Sequence, residues 1–184
     1  MKRVAYLDCF SGISGDMQLG ALVDAGLSID ALRAELAKVP LSGYRLEAAN
    51  VQRARIAATK VDVALEEAAS ASGGHRRLPD ILALIDNSAL TNGDKERGAN
   101  VFRLLAGAEA KVHGVEPDAV DFHEVGAVDA IVDVLGAVAG LRLLGIEQLY
   151  CSPLPAGGGS VSAQHGTLPV PAPATLNVGA MPIG

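Results

Sequence analysis

The sequence has few aromatic residues and few cysteines. Among its 184 residues there are three Phe, three Tyr, no Trp and two Cys. Two residues as far apart as Cys9 and Cys151 do not form the framework of a small disulfide-stabilised secreted domain. We therefore expect free thiols and a cytoplasmic location. The longest apolar run, residues 134–141, is much shorter than the roughly 20 residues that cross a bilayer, so no membrane partner is expected.

An excess of positive charge is also missing. Asp and Glu number 21 against 15 Lys and Arg, which gives a formal net charge of −6. Proteins that bind nucleic acid usually carry a basic stripe, and none is visible here, so no nucleic-acid partner is expected. Ala, Val and Leu are abundant, and apolar residues make up 49% of the chain. That composition predicts a folded chain with a sizeable core rather than a disordered one.

The stretch from Gly126 to Leu144 predicts a buried central helix. Its apolar residues point in nearly every direction around the axis, as in helices enclosed by a core. Asp129 and Asp133 are four residues apart and therefore share one face. A carboxylate on a buried helix must find hydrogen-bond donors, a cation or a metal, or else hold a proton. This pair is the strongest physical indication of function in the sequence.

A glycine-rich turn follows the first predicted strand. Residues 3–8 are strand-like, residues 9–16 form the turn, and a helix follows as far as Gly26. A strand, a glycine-rich loop and a helix N-terminus together present backbone N–H groups that can bind an anion. The candidate phosphate-binding residues of this stretch are Asp8, Ser11, Gly12, Ser14, Gly15 and Asp16. The alternative is a tight turn in which a side chain caps the helix.

Further patterns predict the fold class. Short helices are indicated at 31–39 and 78–85, and a longer helix from Asn92 to His113. Alternating residues predict a hairpin of 44–50 with 56–65, and another strand at 148–151. We therefore predict one α+β domain over residues 1–184. It would contain a layered mixed sheet of about five strands and about five helices, with the buried helix at its centre.

A segment of small residues separates the hairpin from the next helix. Residues 66–77 are predicted to be mobile, because the run EEAASASGG has no core-forming pattern. At its end Arg76 and Arg77 could clamp a phosphate group. A solvated cationic surface is the alternative.

Imidazole and carboxylate groups provide the candidate metal ligands. His123 and Glu124 precede the central helix, and His165 lies beside a glycine. On a regular strand His123 and Glu124 would point to opposite faces, so they could bind one ion only where the backbone turns between them. A site of this kind suits Ni, Zn, Fe or Mn, and the residues alone do not choose among them.

Several sequence blocks resemble the LarC family of nickel insertion proteins. The blocks are YLDCFSGISGDM at 6–17, EAKVHGV at 109–115, FHEVGAVDAIVDV at 122–134, and SPLPAGGGSV followed by HGTLPVPAPAT at 152–175. The resemblance implies a CTP-dependent nickel chelatase of the lyase class. Such an enzyme loads nickel into pyridinium-3,5-bisthiocarboxylic acid mononucleotide and so forms the nickel-pincer cofactor of lactate racemase. It also implies that this chain is the N-terminal domain of a longer protein.

The resemblance further implies cofactors, partners and residue roles. Nickel and Mn or Mg with CTP are the implied cofactors, and the CTP site is expected in a C-terminal domain that is absent here and without which the enzyme is incomplete. The ring carbon must lose a proton, and His123, Glu124 and Asp129 are the candidate catalytic residues. His123, Glu124 and His165 are the candidate nickel ligands. The phosphate of the mononucleotide would bind the loop at 11–16 together with Arg76 and Arg77.

Two other functions are compatible with the same residues. One is a nickel-binding metallochaperone or scaffold domain without catalysis. The other is a metal-dependent hydrolase that acts on a phosphorylated substrate. Assembly into a homo-oligomer is compatible with all three functions.

Overall fold

The computed structural model describes residues 2–53, 55–66, 76–122, 127–163 and 166–179, and within them six helices and eight strands. The helices are α1 (Gly15–Asp24), α2 (Ile29–Leu36), α3 (Leu78–Asp86), α4 (Asn92–His113), α5 (Val128–Leu143) and α6 (Pro173–Gly179), with a short 3-10 turn at Pro117–Ala119. The strands are β1 (Val4–Leu7), β2 (Tyr44–Arg53), β3 (Ile56–Leu65), β4 (Arg76–Arg77), β5 (Asp121–Phe122), β6 (Gln148–Cys151), β7 (Ser160–Ala163) and β8 (Gly166–Pro169).

The described strands pair as four two-stranded sheets. β1 and β6 are parallel, with Tyr6 opposite Tyr150, although they come from opposite ends of the chain. The other pairs, β2–β3, β4–β5 and β7–β8, are antiparallel. Helices and strands are interspersed along the chain, and the described strands do not form one continuous sheet.

Helix α5 lies at the centre of the core. It contacts α1, α2, α4 and β3, and the side chains of Ile131, Val132 and Leu135 are almost fully buried. Two glycines allow α1 to come close: a Cβ at Gly136 would lie 3.0 Å from a methyl group of Leu19, and one at Gly140 would lie 2.8 Å from Leu22. The small residues of α5 therefore determine how tightly α1 packs on it.

Local signals determine where the helices begin and end. The Ser28 hydroxyl accepts the N–H of Ala31 at 3.4 Å, and the Thr91 hydroxyl accepts the N–H of Asp94 at 3.2 Å, which caps α2 and α4. Helix α4 ends at Gly114, whose φ of 67° is a left-handed conformation that glycine adopts without strain.

The α+β class and the buried central helix are confirmed. The arrangement of strands differs from the expected layered sheet of about five, because the eight described strands form separate pairs. Of the segment 66–77, Arg76 and Arg77 form β4, and residues 67–75 lie outside the described residues. Among the described residues, no helix is both long and apolar enough to cross a membrane.

Candidate functional site

The candidate site begins where β1 and β6 end. Their carboxyl ends are held together because the backbone N–H of Cys9 donates to the hydroxyl of Ser152 at 2.8 Å. Beyond Cys9 the chain turns sharply: the N–H of Gly12 donates to the Cys9 carbonyl at 2.9 Å, and Gly12 has a φ of 90°. The loop then enters α1. Ligands of α/β proteins commonly bind at this location, outside the carboxyl ends of parallel strands and beside a helix N-terminus.

The start of α1 lacks the usual side-chain cap. Ser14 occupies the N-cap position in an extended conformation, but its hydroxyl makes no capping hydrogen bond. Instead it donates to the carboxylate of Asp16 in the first turn. The side chain of Ser14 therefore does not cap the backbone N–H groups of this turn. The positive end of the helix dipole faces the loop.

A carboxyl group from α5 lies directly against this helix start. A Cβ added at Gly15 would fall 2.2 Å from Oδ2 of Asp133 and 2.4 Å from its Cβ and Cγ. A residue with a side chain therefore does not fit at position 15 unless Asp133 moves. Gly15, which the sequence predicted as a phosphate-binding residue, has a clear packing role, which is to admit the carboxyl of Asp133.

Asp133 has an unusual electrostatic environment. Its Oδ1 is buried and has no hydrogen-bond partner among the residues that the structure describes. Burial, and then the negative charges of Asp16 and Asp129, raise the pKa of Asp133 from 3.8 to about 6. A carboxyl group that titrates near neutral pH can accept and release a proton under physiological conditions, which is the property of a general base or acid.

Asp129, the other acid of the pair, has a different environment. It is exposed, and its Oδ1 accepts the N–H of Ala130 at 2.9 Å in the first turn of α5. The sequence indicated the pair, and of its two members Asp129 was the predicted catalytic residue. The i, i+4 spacing could have indicated Asp133 equally well, and only the packing of α1 distinguishes the two.

The two arginines lie on a different pair of strands. Arg76 is opposite Phe122 and Arg77 is opposite Asp121 in the β4–β5 ladder. Phe122 is buried and anchors the ladder to the core. Since β5 ends only a few residues before α5 begins, this ladder leads into the segment 123–127 and the helix that carries the acids.

The described residues do not assemble a complete metal site. His123, Glu124 and His165 lie outside the described residues, so their expected roles stay predictions. Within the described ranges, no three His, Cys, Asp or Glu side chains are arranged to hold a metal ion. Asp8 and Ser11 are exposed in the loop before α1, where they remain candidates.

A second group of acids, which the sequence did not indicate, lies at the other end of α5. The Asp94 side chain is 1% exposed, and its Oδ2 accepts from Nε of Arg142 at 2.6 Å. Arg142 also donates to Glu35 at 2.8 Å. These contacts join α2, α4 and α5. The sequence carries no local signal for them, because residues 35, 94 and 142 are far apart in the chain.

The fold and the site define an α+β protein with a carboxyl of raised pKa against a helix start. Comparison with known proteins gives the family: the sequence model of the nickel insertion protein family matches residues 5–182. The chain therefore belongs to the nickel insertion protein family. No solved structure matches it.

Two relatives illustrate the similarity. The pyridinium-3,5-bisthiocarboxylic acid mononucleotide nickel insertion protein of Desulfitobacterium hafniense (strain DSM 10664 / DCB-2) is 52% identical over 177 residues, which are 96% of this chain and 43% of the relative. A protein of Roseiflexus castenholzii, provisionally named a nickel insertion protein, is 52% identical over 178 residues, 97% of this chain and 44% of that relative. The chain thus spans less than half the length of these relatives.

Proposed function

We propose that this chain forms part of an enzyme that inserts nickel into pyridinium-3,5-bisthiocarboxylic acid mononucleotide, and that the acids at the start of α1 lie in its reaction site. The observation that carries the proposal is the carboxyl of Asp133, which lies against Gly15 with an unpartnered oxygen and a pKa of about 6. Family membership supplies the reaction class, since the Desulfitobacterium relative bears the name of this nickel insertion.

The negative charge of the acids at the start of α1 matches the positive charge of the two reactants. Both the pyridinium ring and the nickel ion are cationic, and Asp16, Asp129 and Asp133 present negative charge to one region. The same charge disfavours a phosphate group at the start of α1, although the helix dipole attracts anions. We therefore place the phosphate nearer Arg76 and Arg77, whose guanidinium groups match its charge and geometry. The loop residues Ser11, Gly12 and Ser14 would then contact the ring side of the substrate.

Asp133 would act as the base. When nickel bonds to the ring carbon, the C–H bond breaks and its proton must leave. With a pKa of about 6, Asp133 is roughly nine-tenths ionised at pH 7 and can accept this proton. His123, Glu124 and His165 remain the proposed nickel ligands, and Asp129 remains a candidate catalytic residue.

Other parts of the proposal concern the longer protein. We expect the enzyme to be a lyase-class chelatase that is incomplete without the remaining region of its family, and we assign CTP with Mn or Mg to that region. Among the described residues no group of three acids, His or Cys is arranged to hold this ion, and the proton transfer to Asp133 does not require it. We also propose a cytoplasmic location, a compartment in which cysteines such as Cys9 and Cys151 stay free.

The experiment measures nickel insertion by mass spectrometry of the substrate. The protein is a full-length chimera in which this chain replaces the matched segment of the Desulfitobacterium relative, supplied with Ni²⁺, CTP and Mg²⁺. We expect Asp133→Asn to lower the insertion rate by about 100-fold or more, since one proton acceptor is removed. The matched control is Asp30→Asn, an exposed helix acid that pairs with Arg33 and should leave the rate unchanged. Equal rates in the two variants would rule out Asp133 as the base.

A further inference from the structure

The parallel pair β1–β6 is exposed in a way that such pairs rarely are. Tyr6 is 65% exposed and its ladder partner Tyr150 is 55% exposed. Their neighbours Val4 and Leu149 are also largely exposed, at 54% and 44%. Val4 and Tyr6 point to one face and Leu149 points to the other, so apolar side chains are open on both faces of the pair. Parallel sheets are normally covered on both faces, and a two-stranded sheet is only marginally stable alone.

Further exposed apolar side chains lie in the segments that follow the two strands. Phe10, in the loop after β1, is 80% exposed, and Leu154, after β6, is 60% exposed. Ile13 and Met17, on either side of the start of α1, are 40% and 53% exposed. We name the whole set the β1–β6 apolar surface; it consists of Val4, Tyr6, Phe10, Ile13, Met17, Leu149, Tyr150 and Leu154. Exposed apolar residues concentrated on one pair of strands and the loops that follow them mark a surface that another polypeptide covers.

The length of the relatives indicates what covers it. This chain matches 43% of the Desulfitobacterium relative and 44% of the Roseiflexus relative, so more than half of each lies outside the match. We propose that this remaining region of the family proteins docks on the β1–β6 apolar surface. There it pairs with an edge of β1 or β6 on which no described strand lies. The surface borders the acids at α1, so the docked polypeptide also closes the site. That last consequence alone rests on the proposed function.

Charge disfavours a second copy of this chain as the occupant. Asp8 is exposed between Tyr6 and Phe10, and Asp16 lies in the first turn of α1 beside Met17. Two copies meeting through this surface would bring these acids together, and juxtaposed like charges suppress association. The chain as a whole also carries a net charge of −6. A partner with apolar side chains and a basic rim fits the surface better.

Hydrogen exchange measured by mass spectrometry tests the docking without any activity assay. The two samples are the 184-residue chain alone and the full-length chimera with the Desulfitobacterium relative. We expect the amides of Val4–Leu7 and Gln148–Cys151 to exchange at least about tenfold more slowly in the chimera. The amides of Ile56–Ala58, in an exposed strand end outside the surface, should exchange equally in both and serve as the internal reference.

Substitutions in the chimera sharpen the test. Tyr6→Ser should restore fast exchange in β1 and β6, whereas the matched control Ile56→Ser, at a residue 70% exposed on β3, should not. Equal exchange of β1 and β6 in chain and chimera would overturn the proposal. Slow exchange of β1 and β6 in the chain alone would also overturn the proposal. This holds whether the slow exchange depends on protein concentration, as in self-association, or is independent of it. If the chimera does not fold, the full-length relative and its matched 177-residue segment give the same comparison.

Discussion

Helix α5 carries one acid near its beginning and meets another acid near its end, and the two carboxyls have very different neighbours. Asp94 is more deeply buried, yet it faces Arg142 at 2.6 Å. Asp133 is less buried, but the groups that act on its charge are Asp16 and Asp129. Each has one oxygen that is buried and has no hydrogen-bond partner in the described part of the chain. Burial therefore acts on both carboxyls, and the two differ in the sign of the charge beside them.

The comparison separates a structural acid from a functional one. A buried acid paired with arginine joins elements of the fold. An acid surrounded by other acids makes its own ionised form less favourable, and a folded protein rarely keeps such an arrangement without a ligand or a reaction to use it. On this basis the Asp94 end of α5 holds the fold together, and the Asp133 end is where we propose that the chemistry occurs.

The largest expected effect comes from breaking the pair at the structural end. Arg142→Met would leave Asp94 buried without its cation, and we expect the free energy of unfolding to fall by about 3–5 kcal/mol. Urea denaturation measures this loss. The matched control is Arg103→Met, an arginine on the surface of α4 bonded to Asn100, which should change stability by less than about 0.5 kcal/mol. Equal losses in both variants would show that Asp94 does not depend on Arg142.

The next effect tests the contact between α1 and α5. Gly15→Ala would place a Cβ about 2.2 Å from Oδ2 of Asp133, and we expect this overpacking to cost about 1–3 kcal/mol. Gly93→Ala is the control, because Gly93 also lies in a first helical turn but a Cβ there has nothing within 4 Å. Adding Asp133→Gly to Gly15→Ala removes the Oδ2, Cβ and Cγ atoms that the new Cβ would meet. We therefore expect a favourable coupling energy that offsets most of this packing loss, as a double-mutant cycle measures. No recovery would mean that the two residues are not in contact.

A smaller effect depends on pH. Because the pKa of Asp133 is raised in the folded protein to about 6 from 3.8, folding favours its protonated form. Its contribution to stability is therefore lost as pH rises from about 4 to about 6. Asp133→Asn removes this dependence. Relative to wild type, we expect the variant to gain about 1–2 kcal/mol between pH 4 and pH 7, after allowance for the partial exposure of the group. Parallel stability curves for the two proteins would contradict this expectation.

The sequence predicted where the helices lie along the chain better than it predicted which elements contact each other. Helix α5 and strand β6 were found nearly at their observed bounds, because periodicity and capping residues are local signals. The pairing of β1 with β6 joins residues more than 140 positions apart, and no local pattern indicates it. Helix α6 was not predicted from the sequence; it begins at Pro173, in a first helical turn, where proline is well tolerated.

In the candidate site, too, local spacing was predictable from the sequence and contacts between helices were not. The spacing of Asp129 and Asp133 indicated two acids on one face of a buried helix, and that much followed from the sequence. Which acid is shielded depends on how closely α1 approaches, which Gly15 and Gly136 allow. The proximity of Asp16 to Asp133 likewise arises from the packing of α1 on α5. Such contacts could not be predicted, because they require the fold to be known.

Titration of the Asp133 carboxyl carbon by ¹³C NMR tests the central claim most directly. We predict an apparent pKa of about 6, and a lower value in the Asp16→Asn variant, since that substitution removes one of the two neighbouring negative charges. A pKa near 4 in the wild-type chain, unchanged by Asp16→Asn, would contradict the claim that Asp133 is an acid shielded and crowded by other acids at the start of α1.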